Sequence, residues 1–249
     1  MGNDELLAVI IKMFRKGLNN DPAATAFFGK IRSGSVSYAD LLKYSRQVGI
    51  HLTKTLKSQL MAAYPNGIPP DVIDAVMPPA LREQCKTVLE GANRVQRIVN
   101  GKAGINLQPV DVPIDEDRIA GLVDHVKSSG FMDETENLIT NLASSHVDDA
   151  IKDNAGFQLD SGMEVTVTRT YDDVGINHGK DECQWCLDRC GENVPYKEAL
   201  AMGMFQRHPG CGCVIEYNTS KGNQRQADWT RNSWEDSPST LERRKTIGL

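Results

Sequence analysis

The sequence predicts a mainly α N-terminal domain followed by a small α+β module. Apolar residues recur at helical spacing through most of the first 157 residues, and one segment with alternating β-branched residues follows near residue 160. Five of the six cysteines then lie between Cys183 and Cys213. We therefore predict a helical domain over 1–157, a small α+β module over 158–217 and an extended polar tail over 218–249.

The helical domain is predicted from apolar stripes that are bounded by turn and capping residues. Leu6, Ile10 and Phe14 share one face of the first helix, which should end at the Asn-Asn-Asp-Pro sequence of residues 19–22. Pro78-Pro79 should separate a short helix from a longer one, because proline interrupts helical hydrogen bonding. The predicted helices span 4–18, 38–63, 71–76, 80–99, 115–128 and 132–154.

Extended structure is predicted in fewer places. Residues 105–113 should be extended, and residues 157–162 should form a loop. The segment from Met163 to Tyr171 alternates β-branched residues with others, which is typical of a strand. The fold should therefore change character near residue 160.

Charge is distributed unevenly along the chain, whose formal net charge is −5. Residues 1–110 carry 14 Lys and Arg against 8 Asp and Glu, whereas residues 111–180 carry 5 against 15. The basic part can present a face to DNA or to an acidic partner, or it can be the ordinary solvated surface of helices. No apolar stretch reaches the roughly 18 residues of a membrane span, and no secretory signal is recognisable. We expect a protein that is made and kept in a cytoplasm or is packaged from one.

Two short arms of cysteine and histidine indicate a metal site. Cys183 and Cys186 form a CxxC knuckle, and His208, Cys211 and Cys213 form the second arm as His-Pro-Gly-Cys-Gly-Cys. Thiolate and imidazole ligands at such spacing are typical of tetrahedral zinc, whereas a hard cation prefers oxygen. A closed set of four ligands would make this zinc structural, and its binding energy would help to fold a small module.

Other uses of these cysteines are possible. Disulfides need an oxidising compartment, a thioredoxin-like CxxC should follow a strand in a βαβ unit, and four of the five cysteines could hold an iron–sulfur cluster. We expect the side chains of Cys211 and Cys213 to point to opposite sides, so that only one of them binds the metal, and we favour Cys211. Cys190 is a further candidate, and its participation stays open.

The region resembles a known family. The order C-x2-C, a glycine soon after, a helical stretch and then R-H-x-x-C-x-C before a closing strand is similar to the C-terminal part of Mu F-like phage minor head (head morphogenesis) proteins. It reads Cys183-Gln-Trp-Cys186-Leu-Asp-Arg-Cys-Gly191 and Phe205-Gln-Arg-His208-Pro-Gly-Cys211-Gly-Cys213-Val-Ile-Glu-Tyr217 here, with Thr168-Arg169-Thr170 similar to an Arg-containing strand before the knuckle. Cys190 is not part of that pattern. The resemblance covers roughly residues 160–235.

This resemblance implies a minor capsid protein of the virion head that is present in the host cytoplasm during assembly. Its implied partners are portal and capsid proteins, with packaged DNA as a further candidate. Several copies would be present in each particle, and its role would be head assembly or genome delivery. A helical region ahead of a zinc-binding module is also what the family implies. The role is an expectation from analogy.

We expect no enzymatic activity. The strongest catalytic alternative is a His-Asn-His type nuclease, which also wraps CxxC knuckles around a structural ion. Asn177-His178-Gly179 precedes the knuckle, but the other residues of that motif are missing. Deaminase, Walker A, G-x-G-x-x-G and G-x-S-x-G patterns do not occur. The histidines on predicted helices, His51, His125 and His146, are expected to be surface or boundary residues. A zinc-containing DNA-binding protein or nuclease therefore stays as the second functional class.

Overall fold

The computed structural model describes residues 2–130, 133–171 and 183–220. This part of the chain is mainly helical, with a three-stranded antiparallel sheet near its C-terminal end, which confirms the predicted fold class. The elements are α1 (Asn3–Asn19), α2 (Pro22–Ser33), α3 (Tyr38–Ala63), α4 (Pro70–Lys102), α5 (Glu116–Ser129), α6 (Asp133–Asp160), β1 (Glu164–Thr170), α7 (Gln184–Leu187), β2 (Gly191–Pro195), α8 (Tyr196–Ala201) and β3 (Val214–Ser220). Residues 105–115 link α4 to α5 without helix or strand.

Helix α2 was missed by the sequence prediction, because the turn that ends α1 also starts α2. The side chain of Asp21 accepts hydrogen bonds from the backbone amides of Ala23 and Ala24, and Pro22 occupies the first helical position. Both features are favourable at a helix N-terminus. Gly34, with a φ of 70°, then ends α2 in a left-handed conformation.

Helix α4 is continuous through Pro78 and Pro79, so the predicted break there is wrong. A proline inside a helix costs about 3 kcal/mol because it removes a hydrogen bond and crowds the preceding turn. Burial of the neighbouring side chains offsets this cost, since Met77, Ala80 and Leu81 are all fully buried. The helix contacts α1, α3, α5 and α6, and this packing favours one long helix over two short ones.

The sheet has the strand order β2-β1-β3, with β1 antiparallel to both neighbours. Strand β1 confirms the predicted strand, but α6 continues to Asp160, so most of the predicted loop at 157–162 is helical. Strand β3 continues to Ser220, so residues 218–220 belong to the sheet rather than to the predicted tail. Residues 221–249 of that tail lie outside the described residues.

The sheet and the helices share one hydrophobic cluster. Val165 and Val167 on β1, and Ile215 and Tyr217 on β3, are buried in the same cluster as the apolar faces of the long helices. Both strands contact α6, and β3 also contacts α3. The sheet therefore lies directly on the helical part of the chain.

A buried polar network fixes β3 to the helices. The side-chain amides of Gln96 and Gln158 each donate to the hydroxyl of Tyr217 and to the side-chain oxygen of Asn100. The hydroxyl of Tyr38 donates to the side-chain oxygen of Gln96. Buried polar groups with satisfied partners favour one docking geometry, because any other would leave them unpaired. The network thus sets how β3 lies across α3, α4 and α6.

His146 is fully buried within α6, which corrects the expectation of a surface or boundary residue. Its Nδ1 lies 2.9 Å from the carbonyl oxygen of Leu142, and its Nε2 lies 3.5 Å from the backbone amide of Asp115. His51 is half-buried and contacts the carboxylate of Asp21 at 2.8 Å. None of the described helices is long and apolar enough to cross a membrane.

Candidate metal centre

The first arm of the candidate site is a short turn at the start of α7. Cys183 is the N-cap residue of α7 and Cys186 lies within it, and the backbone amide of Cys186 donates to the carbonyl of Cys183 at 3.0 Å. This turn places the two thiols on the same side of the backbone. It is the local geometry that a CxxC knuckle needs to chelate one ion.

The second arm is a turn that leads into β3. The backbone amide of Cys211 donates to the carbonyl of His208 at 3.1 Å, and Gly210 has a φ of 77°, a conformation that favours glycine. This turn brings His208 and Cys211 towards the first arm. Cys213 follows immediately before β3.

The five predicted ligands lie in two neighbouring groups that share Cys186. Nε2 of His208 lies 3.0 Å from Sγ of Cys186 and 3.4 Å from Sγ of Cys183, and Sγ of Cys186 lies 3.6 Å from Sγ of Cys211. Ligand atoms around a tetrahedral zinc ion lie about 3.5–3.8 Å apart, given bond lengths of about 2.0–2.3 Å. The observed distances are near that range, so the arrangement can hold a metal ion.

Both cysteines of the Cys-Gly-Cys segment lie at the site. Two groups of three ligand atoms each fit within 4.8 Å: Cys183 with Cys186 and His208, and Cys186 with Cys211 and Cys213. The expectation that Cys211 and Cys213 point to opposite sides is therefore wrong. Side chains alternate between the two faces of an extended segment, so residues i and i+2 share a face. Cys190 packs beside these residues, and neither group of three includes it.

Close packing of the thiols controls their ionisation. Burial, reinforced by the neighbouring Cys211, raises the pKa of Cys186 to about 12. The hydrogen bond with Cys213 and then burial raise the pKa of Cys211, whereas that same hydrogen bond lowers the pKa of Cys213. Several thiolates cannot coexist at this distance without a cation, and a bound metal ion would supply that positive charge.

The histidine is oriented for binding through Nε2. Nδ1 of His208 lies 2.8 Å from the carbonyl oxygen of Pro209, so a proton on Nδ1 leaves the lone pair of Nε2 facing Cys183 and Cys186. The ring of Trp185 packs edge-on against that of His208, with centroids 5.1 Å apart. The indole thereby covers one side of the candidate site.

Arg169 reaches the site from β1. It is 1% exposed, and its guanidinium donates to the carbonyls of Met204 and Gln206 and lies 3.5 Å from Sγ of Cys211. The strand that contains this arginine is predicted from the sequence, but the contact between Arg169 and Cys211 is not. A buried cation beside Cys211 favours the thiolate form, which is the form that binds metal.

Two further arginines hold the Cys211–Cys213 segment against the helices. Arg207 donates to the carbonyls of Cys211 and Cys213 at 3.0 Å each and forms a buried ion pair with Asp148 on α6. Arg46 on α3 donates to the carbonyl of Gly212 at 2.8 Å. Sequence reasoning missed Arg46 and Asp148, because no local motif links these helical residues to a loop so distant in the chain.

The described site includes all five residues that the sequence singled out. The Asn177-His178-Gly179 segment, considered for a nuclease, lies outside the described residues. Comparisons of the chain with protein-family models, with curated proteins and with solved structures found no match.

Proposed function

We propose that this chain is a minor head protein of a tailed phage and that it holds one structural zinc ion. The observation that carries the proposal is the meeting of the C-x2-C arm with the His-x-x-Cys-x-Cys arm, in the order that resembles Mu F-like minor head proteins. The ion would be held by Cys183, Cys186 and His208 together with Cys211 or Cys213.

Zinc is the metal that this set of donors favours. Three thiolates and an imidazole suit zinc, whereas magnesium and calcium prefer oxygen ligands. Cys186, Cys211 and Cys213 are buried, and four protein ligands would leave no open position on the ion, so the ion would have a structural role. It would tie the turn at α7 to the turn before β3.

The proposed place of the protein is the head of the virion, with the host cytoplasm as its location during assembly. Its proposed partners are the portal and capsid proteins, and it would act in several copies during head assembly or genome delivery. Support comes from the motif order and from the helical region that precedes the site, as the resemblance implies.

The zinc site is tested by elemental analysis of the purified full-length chain. We expect one zinc per chain in the wild type and none in the double variant Cys183→Ser/Cys186→Ser. Cys85→Ala is the matched control, because Cys85 is also fully buried but lies on α4 outside the cluster. A stoichiometric metal that persists in the double variant would contradict the ligand assignment.

The virion role is tested on purified particles of the phage that encodes the chain. We expect the protein to sediment with DNA-filled heads and to cross-link to the portal protein. A protein that is abundant in infected cells but absent from purified heads would refute the proposed location. The zinc measurement is independent of this result.

A further inference from the structure

Three successive backbone carbonyls of the Cys211–Cys213 segment accept hydrogen bonds from arginine side chains. Arg207 bridges the carbonyls of Cys211 and Cys213 through two guanidinium nitrogens, and Arg46 donates to the carbonyl of Gly212 between them. Arg46 also lies 3.4 Å from the carbonyl oxygen of Cys211. The backbone conformation of the segment is thus set from outside the segment.

This conformation also sets where the two thiols lie. Residues i and i+2 of an extended segment share one face, so Cys211 and Cys213 can point the same way, and the direction of that face depends on how the backbone is held. With the carbonyls directed at the arginines, Sγ of Cys211 and of Cys213 both lie within 4.8 Å of Sγ of Cys186. The hydrogen bonds from the arginines and the positions of the two thiols are therefore features of the same backbone conformation.

Both arginines are fixed by the helical part of the chain. Arg46 belongs to α3, and Arg207 is held by Asp148 of α6 through contacts of 2.6 and 2.9 Å. The side chains of Asp148 and Arg207 are each 2% exposed, so solvent does not weaken their attraction. The helices therefore supply a rigid support for a loop that has little regular structure of its own.

We infer that Arg46 and the Asp148–Arg207 pair are positioning residues of the metal site, so that helices α3 and α6 set its affinity for zinc. The inference rests on the proposed zinc site. Three thiolates, a neutral imidazole and Zn²⁺ would carry a net charge of −1, and Arg46 and Arg169 place positive charge beside them. Groups that orient metal ligands in this way typically change metal affinity by about tenfold to hundredfold when they are removed.

The test compares zinc affinity in the full-length wild type, in Arg46→Met and in Lys43→Met, measured by competition with a chelator of known affinity. Lys43 is the matched control, because it is an exposed cation on α3 one turn before Arg46. We expect Arg46→Met to bind zinc about tenfold to hundredfold more weakly, and Lys43→Met to stay within about twofold of the wild type. The visible absorption of bound Co²⁺ should also shift in Arg46→Met, since it reports ligand geometry.

The outcomes separate this inference from the zinc site itself. If the wild type binds one zinc and Arg46→Met binds it equally tightly, the inference is overturned and the zinc site stands. If the wild type binds no zinc, the proposed site and the inference both fail. Should Arg46→Met not fold, Arg46→Lys takes its place, because it keeps the charge but loses the guanidinium fork. A loss of at least about threefold in that variant supports the inference, and unchanged affinity overturns it.

Discussion

Replacement of Asp148 by alanine tests the ion pair that joins α6 to the metal-binding loop. The carboxylate accepts two hydrogen bonds from Arg207, at 2.6 and 2.9 Å, and both side chains are almost fully buried. Without the carboxylate, the guanidinium stays buried, and its remaining acceptors among the described residues are the carbonyls of Cys211 and Cys213. The arginine would thus be left as a buried cation without its counter-ion.

The size of the effect follows from this burial. Burial opposes the charge on Arg207, but the attraction of Asp148 outweighs it and raises the pKa of the guanidinium, which therefore stays charged in the wild type. Removal of one partner of a buried pair costs about 3–5 kcal/mol. Because two carbonyl acceptors remain, we expect a loss of about 3 kcal/mol in the free energy of unfolding for Asp148→Ala. Asp148→Asn keeps an acceptor oxygen and should lose less.

Urea unfolding followed by far-ultraviolet circular dichroism measures this loss. The control is Glu83→Ala, which breaks an ion pair with Arg15, whose side chain is 61% exposed. Exposed pairs contribute about 0–1 kcal/mol, so this variant should unfold close to the wild type. A loss below about 1 kcal/mol for Asp148→Ala, with an unchanged denaturant slope, would show that this buried pair contributes no more than an exposed one and would contradict the prediction.

Two further predictions concern helix packing and capping. A Cβ on Gly49 of α3 would lie 2.6 Å from Cα of Thr140 on α6. This crowding opposes a gain in helix propensity of about 1 kcal/mol, so the free energy of unfolding of Gly49→Ala, measured by thermal unfolding, should fall by a net value of about 1–2 kcal/mol. Gly121→Ala places its Cβ more than 4 Å from any atom of the described residues outside its own helix and should instead be neutral or more stable. Equal behaviour of the two variants would contradict close packing of α3 on α6. Asp21→Ala should cost about 1 kcal/mol at neutral pH through loss of the α2 cap, whereas Asp21→Asn should keep most of that stability. Burial opposes ionisation of Asp21, but hydrogen bonds from His51 and two backbone amides lower its pKa below 3.8. Its stabilisation is therefore present above pH 3.8 and is lost as the pH falls through the folded-state value. Urea midpoints at pH 7 and pH 3 should show the gap between wild type and Asp21→Ala closing, and a constant gap would rule this out.

The sequence was informative where local rules act within a few residues. The apolar stripe of residues 38–63 predicted α3 with its observed limits, and alternating β-branched residues predicted β1. Cysteine and histidine spacing predicted a metal site before any tertiary structure was considered. These features depend on side-chain period, on capping and on short chelating turns, all of which are local.

Predictions failed where packing outweighed local preference or where one turn serves two helices. Pro78-Pro79 suggested a break, yet burial on the neighbouring helices keeps α4 continuous. The turn at Asp21 predicts the end of α1, although the same residue also caps α2. The burial of His146 has no signal in the sequence. The partners of its two ring nitrogens are backbone groups, one in its own helix and one in the loop before α5, and backbone groups leave no mark in a sequence pattern.

The fold class and the ligand types of the candidate site can be read from the sequence alone, because period and spacing are properties of neighbouring residues. The folded structure was needed to show that Cys211 and Cys213 both lie near Cys186, and that Arg46 and Asp148 belong to the same region. These contacts join α3 and α6 to a loop that lies more than 50 residues away in the chain. Such contacts form when the long helices bury their apolar faces, and no local pattern encodes them.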